Sequence, residues 1–136
     1  MNKLYNTSSI VSTLLDWYGE NKRELPWRKT KDPYKIWLSE VMLQQTQVET
    51  VIPYFNRWIK KYPRFIDVFN ANESDLLKLW EGLGYYNRCR NFHSAVKILM
   101  NEYNGIIPGS IVEFKKFPGV GDYIASAVLS ISFLGG

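Results

Sequence analysis

The sequence predicts an all-α protein, because apolar residues recur at helical spacing along most of the chain and strand-like alternation is scarce. Capping residues, prolines and glycines separate these apolar stretches, as is typical of a chain of short helices. Of the 136 residues, 46% are hydrophobic and 15% are aromatic. This composition can bury a core and excludes an intrinsically disordered chain.

The individual helices are predicted from their start and stop signals. Asp32 before Pro33 joins a capping residue to a proline at the first helical position, and Ser110 with Glu113 has the spacing of a capping box. Thr46 is expected to cap a helix in which Pro53 causes a kink or a late start. In order, the predicted helices span about residues 8–19, 33–45, 46–62, 65–70, 74–80, 86–103, 110–117 and 122–133.

Charge and cysteine usage limit the classes of function. The net charge of +4 suits a polyanion such as nucleic acid, although many unrelated proteins are equally basic. Cys89 and His93 are the only residues of their types, which excludes a disulfide framework and leaves little scope for a zinc site. We expect no metal in this chain. Residues 1–15 carry no signal peptide or membrane span, which favours the cytoplasm and no membrane partner.

The segment from Phe117 to Gly121 is typical of a tight turn between two helices. Gly119, Val120 and Gly121 would expose backbone N–H groups beside the positive end of the next helix, a favourable site for a phosphate oxygen. This pattern indicates a helix-hairpin-helix motif, at about residues 110–134, that grips the DNA backbone without reading bases. The alternative is an ordinary glycine cap at a helix end.

A glutamate lies among apolar residues in the run from Ser39 to Val48. A carboxyl group in such surroundings has a raised pKa, so Glu40 could hold a proton at neutral pH and donate it, as the acid of a glycosidase does. A solvated helix glutamate is the plainer alternative. Three glutamines follow, and each side-chain amide can donate and accept hydrogen bonds. They could replace the hydrogen bonds of an opened base pair, and the alternative is a polar helix end. These residues are Gln44, Gln45 and Gln47.

A third motif runs from Trp80 to Arg88. Leu83 lies between two glycines and precedes two tyrosines and the basic residues Arg88 and Arg90. This arrangement favours an apolar wedge near phosphates, a recurring device for kinking DNA. The alternative is a loop with core tyrosines.

Four segments occur together in one order and carry a family resemblance. They are Leu25-Pro26-Trp27-Arg28, the run "WLSEVMLQQTQV", Gly82-Leu83-Gly84-Tyr85-Tyr86 with the arginines that follow, and Pro118-Gly119-Val120-Gly121. On these segments the chain resembles the MutY-type adenine DNA glycosylases of the endonuclease III superfamily, from about Leu14 to Leu134. The glutamine-rich run is the segment most specific to this branch.

The resemblance implies base-excision repair, with hydrolytic removal of adenine mispaired with 8-oxoguanine or guanine in double-stranded DNA. By position, Glu40 matches the catalytic acid and Tyr123 a tyrosine beside it. The matches to the adenine pocket are Trp27, Arg28, Leu43 and Val48. The matches to residues that intercalate or contact the lesion are Gln44, Gln45, Thr46, Leu83 and Tyr85. A bacterial, nucleoid-associated enzyme is therefore expected.

Tyr123 distinguishes between branches of the superfamily. Bifunctional relatives carry a lysine at this place, as the amine that attacks the sugar in Schiff-base chemistry. With Tyr123 there, the sequence predicts a monofunctional glycosylase. The tyrosine and the glutamine-rich run disfavour a relative that acts on oxidised pyrimidines.

Several parts of the family pattern are absent from this chain, which ends at Gly136. The resemblance places a catalytic aspartate and the four cysteines of a [4Fe-4S] cluster farther on. It also predicts a six-helix barrel domain over residues 25–134, and assigns the helix in residues 1–24 to the cluster-containing half. We therefore expect the chain alone to be inactive and prone to self-association through that helix. The alternative function is a non-catalytic helix-hairpin-helix DNA-binding module.

Overall fold

The computed structural model describes residues 26–27 and 30–130, and this part of the chain contains helices and no strands. The predicted helix at residues 8–19, the predicted pocket residue Arg28 and the residues after 130 lie outside it. The described helices are α1 (Pro33–Leu43), α2 (Val48–Lys61), α3 (Phe65–Phe69), α4 (Glu73–Trp80), α5 (Tyr86–Glu102), α6 (Ile111–Phe114) and α7 (Asp122–Leu129).

The all-α prediction is confirmed, and the helix bounds agree with the predicted ones to within a few residues. The expected count of six is not confirmed, because the described residues form seven helical segments, of which α3 has five residues and α6 has four. As predicted, Asp32 caps α1 by accepting a hydrogen bond from the backbone N–H of Tyr34 at 3.0 Å. Ser110 caps α6 by accepting one from the N–H of Glu113 at 3.3 Å.

The predicted cap of α2 is wrong, and of the two outcomes expected at Pro53, a kink or a late start, the late start is not found. The capping residue is Gln47, not Thr46, whose hydroxyl instead accepts a hydrogen bond from Arg88. The helix does not start late at Pro53 but begins at Val48 and continues through the proline. The proline lies between Val51 and Phe55, both of which are buried. Burial of this apolar face offsets the missing N–H of Pro53.

The core is built around the indole ring of Trp37 in α1. The rings of Phe65, Phe92, Phe114 and Phe117 all lie edge-on to it, with centroid distances between 5.0 and 6.2 Å. These phenyl rings come from α3, α5, α6 and the turn after α6. The indole therefore holds α1 at the centre of the described helices, where edge-to-face packing is the favoured geometry.

The site depends on how α1 sits among its neighbours. This helix packs against α2, α5 and α7, while α6 and α7 pack against each other as the two helices of the predicted hairpin. The C-terminal turn of α1 lies beside the N-terminal part of α7, because Glu40 and Tyr123 form a hydrogen bond. The Ser39–Val48 run and the glycine turn, about 75 residues apart in sequence, also line one small cavity, to which Val41, Gln44, Pro118 and Gly119 contribute.

Candidate functional site

Glu40 lies in the last turn of α1 and is half-buried. Burial raises the pKa of its carboxyl group, while a hydrogen bond from the Tyr123 side chain acts in the opposite direction. Burial has the larger effect, so the protonated form is favoured relative to an exposed glutamate. The plainer alternative, a solvated helix glutamate, is not what the structure contains.

An open pocket of about 300 Å³ is formed in front of this carboxyl group. Its lining residues are Glu40, Leu43, Gln44, Thr46, Gln47, Val48 and Tyr123. Leu43 and Val48, both predicted for the adenine pocket, therefore meet the predicted acid and its neighbouring tyrosine. The pocket combines apolar walls with amide, hydroxyl and carboxyl groups that can form hydrogen bonds.

A second cavity of about 580 Å³ is lined by Gln44, Gln45, Tyr85, Arg88 and Tyr123. It shares Gln44 and Tyr123 with the first pocket. The side chain of Tyr85 is 59% exposed and that of Tyr123 is 69% exposed. The structure thus brings the predicted lesion-contact residues Gln45 and Tyr85 to one surface, directly beside the pocket of Glu40.

The prediction that Leu83 forms an apolar wedge is wrong in this structure. The Leu83 side chain is only 6% exposed and belongs to the hydrophobic core. The turn that carries it is held inward because Trp80 donates from its indole nitrogen to the carbonyl of Gly84 at 2.9 Å. The exposed apolar group of this turn is the ring of Tyr85.

Trp27 packs against α2, and its place in the adenine pocket stays a prediction. Its ring packs edge-on against Phe55, with centroids 5.0 Å apart. It is not among the residues that line the pocket of Glu40. Its side chain is partly buried and packs against the hydrophobic core.

The glycine turn has the features expected of a backbone-binding motif. Gly119 has a φ of +76°, a left-handed conformation that favours glycine. Val120 is buried and donates from its N–H to the carbonyl of Phe117 at 3.1 Å. No described group accepts a hydrogen bond from the N–H of Gly119 or Gly121. These two N–H groups precede the positive end of α7, where a phosphate oxygen binds favourably.

The residues of this chain do not fit an iron–sulfur cluster. Cys89 is buried in α5, and burial raises the pKa of its thiol to about 12, which disfavours the thiolate that a metal requires. Over the described ranges, no group of three or more His, Cys, Asp and Glu side chains is placed to hold a metal ion. Within the same ranges, no helix combines the length and apolar character needed to cross a bilayer.

The sequence did not predict the contacts that two residues near the site make in the structure. Arg88 was expected near phosphates, but its guanidinium group points inward and donates to backbone carbonyls of the Ser39–Val48 run. Asn91 lies beneath the glycine turn, where a Cβ added to Gly119 would come within 3.0 Å of the Asn91 Cβ. Neither arrangement has a signature in the sequence.

A family model describing the HhH-GPD superfamily of base excision DNA repair proteins matches residues 38–131. The chain belongs to this superfamily. The matched segment contains Glu40 and the glycine turn, together with the residues of both cavities. The helix-hairpin-helix assignment made from the glycine pattern is therefore confirmed by the family match.

The resemblance to adenine DNA glycosylases is confirmed by sequence comparison. The chain is 48% identical over 128 residues to the adenine DNA glycosylase of Buchnera aphidicola subsp. Baizongia pistaciae, covering 93% of this chain and 36% of that protein. It is 41% identical to the human adenine DNA glycosylase, covering 93% of this chain and 25% of that protein. The chain thus spans about a third or less of the length of these relatives.

Solved structures of a DNA glycosylase and of endonuclease III share the fold of this chain. A thermostable thymine-DNA glycosylase matches with a TM-score of 0.76 and 30% identity, over 93% of this chain and 58% of that one. An endonuclease III captured in a covalent intermediate with DNA matches with a TM-score of 0.70 and 24% identity, over 90% and 60% of the two chains. The second likeness concerns the fold alone.

Proposed function

We propose that this chain supplies the acid catalyst, the adenine pocket and a DNA-backbone grip of an adenine DNA glycosylase. The observation that carries the proposal is the half-buried Glu40 carboxyl group, which lines a pocket together with Tyr123, two residues after the glycine turn. The 41–48% identity to proteins named adenine DNA glycosylase supports the choice of adenine. The proposed substrate is double-stranded DNA, present in the nucleoid, with adenine opposite 8-oxoguanine or guanine.

The proposed reaction begins with an adenine that has left the base stack and entered the pocket of about 300 Å³. Protonated Glu40 donates its proton to a nitrogen of the five-membered ring. The bond between the base and the sugar then breaks, its electron pair leaves with adenine, and a cationic sugar remains. Water adds to the sugar carbon and its proton is released. The raised pKa of Glu40 serves this step because the acid must be protonated near neutral pH.

Tyr123 is proposed to orient the acid. Its side chain hydrogen-bonds the Glu40 carboxyl group and lines both cavities. A phenol provides no amine for a Schiff base with the sugar, so we propose a monofunctional, hydrolytic glycosylase. The contacts to the base opposite adenine are assigned to Gln45 and Tyr85, whose side chains line the second cavity.

A second candidate, a non-catalytic DNA-binding module, is favoured by one observation for the chain taken alone. Among the described residues that line its pocket, Glu40 is the sole carboxylate. Glycosidases generally use two carboxyl groups, one as the acid and one that supports the cationic sugar or activates water. The chain on its own is therefore proposed to bind DNA, with catalysis requiring a second carboxylate.

The test compares the chain with a fusion in which it replaces the matching segment of the Buchnera aphidicola relative. Both are incubated with duplexes carrying adenine opposite 8-oxoguanine, and adenine release is measured separately from strand cleavage. We expect the fusion to release adenine without cutting the strand and to resist covalent trapping with borohydride. Efficient trapping would contradict a monofunctional mechanism. Absence of adenine release from the fusion, with the parent relative active, would contradict the assignment of the substrate.

A further inference from the structure

The guanidinium group of Arg88 joins the end of α1 to the two loops that carry the proposed lesion contacts. Its Nη1 lies 2.8 Å from the carbonyl oxygen of Val41 and 3.1 Å from that of Met42, which belong to the unpaired last turn of α1. Nη1 also donates to the Gln44 carbonyl. Nη2 lies 3.3 Å from Thr46 Oγ1 and 3.3 Å from the Gly84 carbonyl. We call this set of contacts the Arg88 clamp.

The guanidinium plane is also enclosed by aromatic rings. It lies 5.6 Å from the ring centre of the buried Trp80 and 5.1 Å from that of Tyr85. A guanidinium group is planar and has five N–H donors, so it can stack on aromatic rings and donate to several carbonyl groups at once. The compact ammonium group of a lysine cannot do both. The geometry of the clamp is therefore specific to arginine.

The charge of Arg88 is balanced by carbonyl dipoles. In the described part of the chain, no carboxylate forms an ion pair with it, whereas Arg90 pairs with Glu73 at 3.8 Å. Burial lowers the pKa of the Arg88 guanidinium. A partly desolvated cation is stable only while its acceptors stay in place, so its contacts hold both loops in their observed conformation.

Both loops contain a residue in an unfavourable backbone conformation. Gln45 has a φ of +59° and Tyr85 a φ of +51°. Both values lie in the left-handed region, which residues other than glycine seldom adopt. Gln45 lies between two clamp acceptors, Gln44 and Thr46, and Tyr85 follows the acceptor Gly84. The two strained residues line the same cavity. Strain at two neighbouring exposed residues persists only where the surrounding contacts enforce it.

We propose that Arg88 is a positioning residue that holds Gln45 and Tyr85 in these conformations, so that both side chains are ready to meet the base opposite adenine. The inference rests on the proposed function for the identity of that base. Arg88 acts by holding the two loops in place and does not contact DNA itself. The inference also predicts that charge alone does not replace the guanidinium group.

The test uses Arg88→Lys, which keeps the charge and removes the fork, with Arg90→Lys as the matched control on the same helix. Arg90 is exposed and bonds only to Glu73 and Asn87 among the described residues. Hydrogen exchange of the backbone amides is measured first, in the complete 136-residue chain without DNA. We expect exchange at residues 44–46 and 82–86 to accelerate about tenfold in Arg88→Lys, as for the loss of a hydrogen bond to a charged group. Arg90→Lys should leave both loops unchanged, and unchanged exchange in Arg88→Lys would overturn the clamp.

Binding is measured second, by fluorescence anisotropy on duplexes with adenine opposite 8-oxoguanine and on fully paired duplexes. We expect Arg88→Lys to lose most of the preference for the mismatch while its affinity for paired DNA changes little. Arg90→Lys should keep the preference. A retained preference in Arg88→Lys, or an equal loss in both variants, would overturn the positioning role.

The two measurements separate this inference from the proposed function. If the unmodified chain shows no mismatch preference, the proposed lesion contacts are contradicted, and hydrogen exchange still decides whether the clamp exists. If circular dichroism shows that Arg88→Lys does not fold, the test uses Thr46→Val instead. The Thr46→Val substitution removes one hydrogen-bond acceptor of the clamp. Faster exchange at residues 44–46 alone then supports the clamp, and unchanged exchange there overturns it.

Discussion

At the scale of single residues, the chemistry depends on the balance between burial of the Glu40 carboxyl group and its hydrogen bond with Tyr123. Burial disfavours the carboxylate and raises its pKa, whereas the phenol stabilises the carboxylate. The negative end of the α1 macrodipole acts in the same direction as burial, since Glu40 lies in the last turn. Burial thus favours the protonated acid relative to an exposed glutamate, and the hydrogen bond with Tyr123 orients the carboxyl group.

The raised pKa of Glu40 makes a prediction about stability. A carboxyl group whose pKa is higher in the folded than in the unfolded state binds more protons when folded, so its ionisation destabilises the native state as pH rises through that window. We expect Glu40→Gln to unfold at higher urea concentration than the parent at neutral pH, with the difference vanishing below the pKa of an unfolded glutamate. Glu102→Gln, an exposed glutamate also at a helix end, is the control. An equal pH dependence in both variants would contradict burial as the cause.

Removing the phenol hydroxyl of Tyr123 should raise the pKa of Glu40 further. Because this hydrogen bond lowers the Glu40 pKa, Tyr123→Phe should raise it. In the fusion with the Buchnera aphidicola relative, the fall in adenine release at high pH should then move to higher pH. Tyr86→Phe, which alters a tyrosine outside the pocket of Glu40, should leave the profile unchanged. A shift to lower pH would contradict the assigned hydrogen bond.

At the scale of elements, the turn before α7 depends on Gly119. Its φ of +76° is strained for any other residue, and an added Cβ would meet the Asn91 Cβ at 3.0 Å. Gly119→Ala is expected to lower the free energy of unfolding by about 1–2 kcal/mol from the backbone alone. Gly121→Ala is the matched control, because nothing lies within 4 Å of an added Cβ there, and it should be neutral or slightly stabilising. Urea unfolding of both variants tests this, and equal effects would contradict it.

The packing of α1 on α2 contains a buried relay of hydrogen bonds. The Tyr34 hydroxyl accepts from Trp58 Nε1 at 2.9 Å and donates to the carbonyl of Tyr62. Tyr34→Phe would leave the buried indole N–H without its acceptor. It should lower the free energy of unfolding by about 1–3 kcal/mol. A variant with unchanged stability in urea would show that the relay contributes nothing.

At the scale of the whole molecule, the helices and the helix-hairpin-helix turn could be predicted from the sequence because their signals are local. Caps, prolines and glycines act within a few residues, as Asp32 and Ser110 show. The meeting of Glu40 with Tyr123 came from the family resemblance, since no local pattern relates residues so far apart. The structure supports that meeting through the packing of α1 on α7.

The features that could not be predicted depend on which way a side chain faces in a turn. Leu83 between two glycines has the same local sequence whether it points to solvent or into the core, and the indole of Trp80 decides the matter. Arg88 bonds mostly to backbone carbonyls, which every sequence contains, so its partners leave no pattern. The place of Trp27 against Phe55 depends in the same way on tertiary packing.

In the proposed mechanism, Glu40 delivers its proton to adenine. The most direct measurement is the single-turnover rate of adenine release by the fusion protein with and without Glu40→Gln, on adenine opposite 8-oxoguanine at saturating enzyme. Loss of general-acid catalysis predicts a fall of about 10²- to 10⁴-fold with DNA affinity retained. Release at the parent rate by Glu40→Gln would contradict the role of Glu40 as the acid.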